Sequence, residues 1–156
     1  MAEALFKQKY AQKVSGDDSE NIEVTSAGIA ATTGMPASAE TKRVLEEEGI
    51  QVDRHRSRPI TRHLVENADL IVVMTASQRD VLIRQFPEIT HKIRLLKDDL
   101  RGSLFSSNPP EKDKEAALDE NSPGEAKDIK DPFGESQEVY RQTLEEIDEH
   151  LKKLCV

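Results

Sequence analysis

Asp131-Pro132-Phe133-Gly134 sets a carboxylate in a stiff Asp-Pro turn beside an aromatic ring, an arrangement that suits a general acid. Desolvation by Phe133 would raise the carboxyl pKa, while Pro132 limits how far Asp131 can swing. The same four residues also read as a plain turn, since all are common turn formers. A second group, Arg54-His55-Arg56-Ser57-Arg58, is a compact basic run in an acidic chain. It can steer or hold an anion, or it can be a solvated loop. Cys155 is the single cysteine, which excludes an internal disulfide and a cysteine zinc cluster. It sits in the last turn of a helix with only Val156 after it, so no following loop cradles a substrate and it is a poor nucleophile. His63, His91 and His150 lack the spacing of metal ligands, so no metal is expected.

The elements that must position these groups alternate between strand and helix. Met1-Ala2-Glu3-Ala4-Leu5-Phe6-Lys7-Gln8 opens a helix without any capping residue, and its apolar spacing extends to about Val14 before Ser15-Gly16-Asp17-Asp18-Ser19 breaks it. Ile22 to Ser26 alternates with β-branched residues and predicts a strand. A helix bearing Ala37, Thr41, Val44, Leu45 and Glu48 stops at Gly49, and Thr61 caps a short helix carrying Leu64, Val65 and Ala68. The apolar run Leu70 to Met74 suits a strand covered on both faces. Thr75-Ala76-Ser77-Gln78 fits a capping box and leads a helix to Pro87, after which Ile93 to Leu96 reads as a shorter strand. From Arg101 to Asp128 the Ser, Asn, Pro, Glu and Lys content predicts a mobile surface insertion. Ser136 is then expected to cap a final helix whose Tyr140, Leu144, Ile147, Leu151 and Leu154 form one apolar stripe. This order predicts a single α/β domain over residues 1–156, with a parallel sheet between layers of helices.

A net charge of -8 and a sequence pI near 5.1 argue against a nucleic-acid partner, because a phosphate backbone would be repelled. No apolar run approaches the roughly 18 residues of a membrane helix and no leader is visible, so a soluble cytoplasmic protein without a membrane partner is expected.

In order and spacing these motifs resemble the low-molecular-weight protein phosphatase family. The resemblance runs through Met1 to Phe6, Ser26-Ala27-Gly28, His55-Arg56-Ser57-Arg58, Ala68 to Thr75, Asp131-Pro132-Phe133-Gly134 and the last helix. It implies a three-layer fold with a four-stranded parallel sheet, whose first strand lies between Ile22–Ser26 and Leu70–Met74. It implies hydrolysis of phosphotyrosine or phosphoarginine in protein substrates through a cysteinyl-phosphate intermediate, with no cofactor or metal. Asp131 matches the family's general acid and Phe133 the aromatic that flanks the substrate side chain. His55 matches a histidine that supports the phosphate-binding loop, and Ser26 lies in a segment packed near it. The glycine after the aromatic is closer to bacterial members, some of which act on phosphoarginine.

In the family, the segment matching Met1-Ala2-Glu3-Ala4 directly follows a loop of the form Cys, five residues, Arg, Ser, Pro. Met1 thus falls just after that loop, and the expectation is a chain lacking the first strand and the nucleophile, inactive as written and arising from a misassigned start. The alternative is a non-catalytic remnant that acts, if at all, by binding a partner through its acidic surface or final helix.

Overall fold

Three hydroxyl side chains set helix starts where the sequence expects them. Ser38 Oγ accepts from Thr41 N (3.1 Å), Thr61 Oγ1 from Leu64 N (3.3 Å) and Thr75 Oγ1 from Gln78 N (3.1 Å), each satisfying an amide that the first helical turn leaves orphaned. The computed structural model describes residues 1–10, 22–98 and 128–154. The expected course of the first helix beyond Tyr10 to Val14, the break at Ser15 to Ser19, the Arg101 to Asp128 insertion apart from Asp128 itself, and Cys155 lie outside the described residues. The first helix, α1 (Ala2–Leu5), continues as a π-helical turn over Phe6–Tyr10. The others are α2 (Ala39–Glu47), α3 (Arg62–Asn67), α4 (Ala76–Gln85) and α5 (Gln137–Leu154), with a 3-10 helix at Pro87–Lys92.

Two strands form the sheet among the described residues. These are β1 (Ile71–Val73) and β2 (Ile93–Leu95), paired in parallel with Ile71 opposite Ile93 and Val73 opposite Leu95. The strand predicted at Ile22 to Ser26 is not formed. Its alternation survives only as burial, with Ile22 and Val24 half-buried and Glu23 and Thr25 exposed. The physical reason is that a strand exists through its lateral hydrogen bonds, and no described strand lies beside this segment. The nearest pairing is a single parallel bridge between Gly28 and Pro59. β1 shows the same lack from the other side. Leu96 N donates to Val73 O (2.9 Å), which turns the backbone groups of Val73 toward β2 and, by alternation, those of Val72 away from it. Among the described residues nothing pairs with Val72 on that open side.

The apolar interior divides in two. The larger cluster joins Leu5, Phe6 and Tyr10 to Val44, Leu45 and Ile50 of α2 and its end, and to the predicted stripe of α5, in which Tyr140, Leu144, Ile147, Leu151 and Leu154 are all buried. The smaller cluster packs Val65, Leu82, Phe86 and Ile89 against Val73, Ile93 and Leu95. At the end of α2, Gly49 takes φ +73°. Ile50 N then reaches Leu45 O (2.8 Å) and Gly49 N reaches Glu46 O (2.9 Å), a left-handed stop that returns Ile50 to the core. Polar clamps bind the π-helical turn to its neighbours: Lys9 Nζ meets Glu48 (2.7 Å) and Asp148 (3.0 Å), and Tyr10 OH donates to Asp148 Oδ1 (2.8 Å). At α5 the Ser136 carbonyl accepts from Val139 and Tyr140 N. No helix among the described residues is long and apolar enough to cross a membrane.

Leu45 has no exposed surface and lies where α2 meets the larger cluster. Leu45→Ala is expected to lower the free energy of unfolding by about 2–5 kcal/mol, while the exposed neighbour Glu46→Ala changes it by about 0.5 kcal/mol or less. Urea unfolding of the two variants checks this, and a Leu45→Ala loss no larger than that of Glu46→Ala contradicts the packing.

Candidate active site

An open cavity of about 890 Å³ lies beside the larger core. Its floor is apolar, with Leu45, Ile50, Met74, Ile129 and Ile147, and its polar wall carries Glu3, Ser26, His55, Thr75, Gln78 and Asp131. Parallel strands point their carboxyl ends at ligand sites in α/β folds, because the loops that can carry chemistry emerge there. Met74, just beyond β1, occupies that position.

The segment holding Asp131 is fixed at this end of the sheet by three hydrogen bonds, and a fourth holds the Met74 backbone that it is tied to. Ile129 N donates to Met74 O (2.8 Å), Asp128 Oδ1 accepts from Ala76 N (2.7 Å), and Lys97 Nζ donates to Asp128 O (2.8 Å). Gln78 Oε1 completes the set by accepting from Met74 N (2.9 Å). Ile129 and Pro132 are buried on either side of exposed Lys130 and Asp131, so the acidic side chain is presented to solvent from an anchored backbone. Asp131 Oδ1 accepts from Phe133 N (3.0 Å), and Gly134 supplies the φ of +83° that closes the turn. The expected shielding by Phe133 is absent. Its ring is 80 % exposed and does not line the cavity, because the turn directs it outward while Pro132 takes the buried position.

Ser26 and His55 are brought together by a residue that the sequence reading passed over. Glu3 accepts from Ser26 Oγ (2.5 Å) and from Lys7 Nζ (2.5 Å), and its Oε2 faces His55 Nδ1 at 3.9 Å. Partial burial works to raise the Glu3 pKa, but the hydrogen bonds from Lys7 and Ser26 and the charges of Lys7 and His55 hold it below the ordinary carboxylate value. Glu3 thus stays ionised and ties α1 to two separate loops. Its signal in the sequence was slight: a carboxylate in the first turn, four residues before a lysine.

The basic run divides its labour. Arg56 donates to the carbonyls of Asp53 and His55, and Arg58 Nε to Ser26 O (3.0 Å), so these two guanidiniums hold loop backbone. Ser57 also bonds Met35 N (3.0 Å) and the carbonyl of Thr32. Arg54 lines the cavity. Among the described residues no group of three or more His, Cys, Asp or Glu side chains could hold a metal ion. The wall therefore offers an accessible carboxylate, hydroxyls and an imidazole, which can move protons and hydrogen-bond an anion. None of the described residues that line it carries a thiol.

Comparison with known proteins gives this geometry a context. The family model of the low molecular weight phosphotyrosine protein phosphatase matches residues 1–106. A protein-arginine-phosphatase of Bacillus subtilis (strain 168) is 31% identical over 155 residues, covering 99% of this chain and 85% of that protein. A probable low molecular weight protein-tyrosine-phosphatase, EpsP, of Ralstonia nicotianae is 29% identical over 94% of this chain and 78% of its own length. Among solved structures, the YwlE arginine phosphatase of Geobacillus stearothermophilus superposes with a TM-score of 0.70 at 28% identity, covering 99% of this chain and 80% of that one. A YwlE mutant from Bacillus subtilis gives 0.71 at 30% identity, covering 99% and 85%. The helices flanking a parallel sheet, the ordered motifs and these matches agree, and the chain belongs to the low molecular weight phosphotyrosine protein phosphatase family.

Proposed function

We propose that this chain forms the body of a cytoplasmic protein phosphatase that acts on phosphotyrosine or phosphoarginine side chains, with Asp131 as its general acid and base. The observation that carries this reading is the anchoring of Asp131 at the carboxyl end of β1, on the wall of a cavity that can admit a phosphorylated side chain. Names of relatives include both arginine and tyrosine phosphatases, which supports the substrate class without choosing within it.

In the chemistry that the family resemblance implies, a cysteine thiolate attacks phosphorus and the bond to the leaving oxygen or nitrogen breaks as Asp131 supplies its proton. Asp131, now ionised, then takes a proton from water as that water displaces the thiolate, releasing phosphate. Asp131 suits both steps because it is exposed and its backbone is fixed. Phe133 stands free beside it to flank the substrate side chain, and His55 and Ser26, gathered on Glu3, support the phosphate-binding loop.

The nucleophile is a separate matter. These 156 residues contain one cysteine, Cys155, followed only by Val156, so no Cys, five residues, Arg sequence is among them. Thiolate attack therefore requires a loop from outside these residues, and the open side of β1 beside Val72 is where a strand leading into it would find its hydrogen bonds.

Two outcomes follow for purified protein. The 156-residue polypeptide is expected to release no phosphate from phosphotyrosine or phosphoarginine peptides above the buffer rate. Joining an apolar strand and a Cys, five residues, Arg, Ser, Pro loop ahead of Met1 should create turnover, and a folded, extended chain without it would overturn the reading. In that extended chain, Asp131→Asn should lower kcat by about 10²–10⁴-fold, since the amide cannot supply a proton to the leaving group. Phe133→Ala should raise KM with a smaller effect on kcat.

A further inference from the structure

The charges lining the cavity do not match those of the molecule around them. The chain as a whole carries a net charge of -8. Yet the charged side chains that line the cavity are Glu3, Lys7, Asp53, Arg54, Lys130 and Asp131, together with His55. Glu3 is neutralised by Lys7 at 2.5 Å, and Asp53 by Lys42 at 3.6 Å. Asp131 has one carboxylate oxygen committed to Phe133 N. Arg54 and Lys130 remain, both exposed, and neither has a carboxylate or carbonyl partner among the described residues. Several cations elsewhere are covered, Lys9 by Glu48 and Asp148, Arg62 by Glu66 and Glu88, Lys97 by Glu146, and Arg141 by Glu47 and Glu138. Arg43, Arg84, Lys152 and Lys153 are exposed without a carboxylate partner among the described residues, so it is the position at the cavity that sets Arg54 and Lys130 apart.

The placement of the two cations adds to this. Lys130 lies between buried Ile129 and Asp131 on the segment that β1 holds in place, and Arg54 lies beside His55 on the loop that Glu3 gathers. They approach the cavity from different loops, each on backbone held by hydrogen bonds, as His55 N is by Val52 O (3.0 Å). Exposed lysine and arginine side chains cost little to desolvate partly and attract carboxylates over several ångströms, so such a pair selects for charge near a site more than for one fixed geometry.

We propose that Arg54 and Lys130 form a docking pair for an acidic stretch of a protein substrate, next to the residue that enters the cavity. This rests on the phosphoprotein reading for its biological meaning, but the contact itself is a binding property of the chain as it stands. Other surface charge, dominated by carboxylates, repels such a segment and so directs it to this mouth.

Fluorescence anisotropy with two labelled, unphosphorylated probes tests the pair: one peptide with four glutamates around a central tyrosine, and the same peptide with glutamines in their place. The 156-residue chain should bind the glutamate probe more tightly, and the difference should shrink as salt is raised from about 50 to 300 mM, where the Debye length falls below about 6 Å. Arg54→Gln and Lys130→Gln should each weaken the glutamate probe by about 2–5-fold, and the double variant by about the product. Lys152→Gln with Lys153→Gln, an exposed pair at the end of α5, serves as control and should leave binding unchanged. Equal affinity for the two probes overturns the proposal, as does a control loss as large as that of the double variant. Neither result touches phosphate release by the loop-completed chain, so failure of docking and failure of the phosphatase reading are separable.

Discussion

Met74 has both of its backbone groups fixed, its amide by Gln78 Oε1 and its carbonyl by Ile129 N, and the rest of the site is placed from there. Gln78 is the third residue of the α4 first turn beyond its cap, so the start of that helix is joined to the end of β1 through one side chain. Asp128, accepting from Ala76 N, binds the returning chain to the same turn. A carboxylate carried on an exposed loop would otherwise sample many positions. Here its range is set by bonds to a strand that is itself held by β2 on one side and by the smaller apolar cluster. The chemical group is on a loop, but its coordinates belong to the sheet.

A comparable economy appears at Glu3. A single ionised carboxylate draws together a serine that follows a stretch without regular structure, a histidine from the loop after α2, and a lysine one helical turn away. Removing any one partner leaves the others in contact, whereas the carboxylate is common to all. Local order on that wall therefore depends on a residue that has no part in the implied chemistry.

Much of this was legible in the sequence because the signals were local. Ser38, Thr61 and Thr75 announce helix starts through hydroxyls that need only their own first turn, and Gly49 announces a stop through a backbone angle. The apolar stripe of α5 is buried as its spacing requires. The failures are equally physical. Ile22 to Ser26 has the composition of a strand, but composition supplies only half of a ladder, and the other half must come from elsewhere in the chain. Adjacency along the chain suggests Phe133 as a cover for Asp131, yet neighbours in a turn point apart, and Pro132 holds the inward place. The spacing of Thr75 and Gln78 suggests a capping box, whereas the Gln78 side chain reaches one residue further back, to Met74 N. The Glu3 junction is long-range: α1 and two loops meet there, and no spacing along the chain encodes the meeting.

The open side of β1 has a consequence for handling the molecule. An apolar strand whose Val72 amide and carbonyl have no partner among the described residues is a template for another chain in extended conformation, including another copy of itself. Natural sheets guard such edges with charge, proline or a bulge, and Ile71-Val72-Val73 has none of these. Colloidal behaviour is therefore set by a contest between this edge, which favours growth of intermolecular ladders, and the surplus of negative charge, which keeps copies apart. Salt shifts that contest, because it screens the repulsion and leaves the hydrogen-bonding edge untouched.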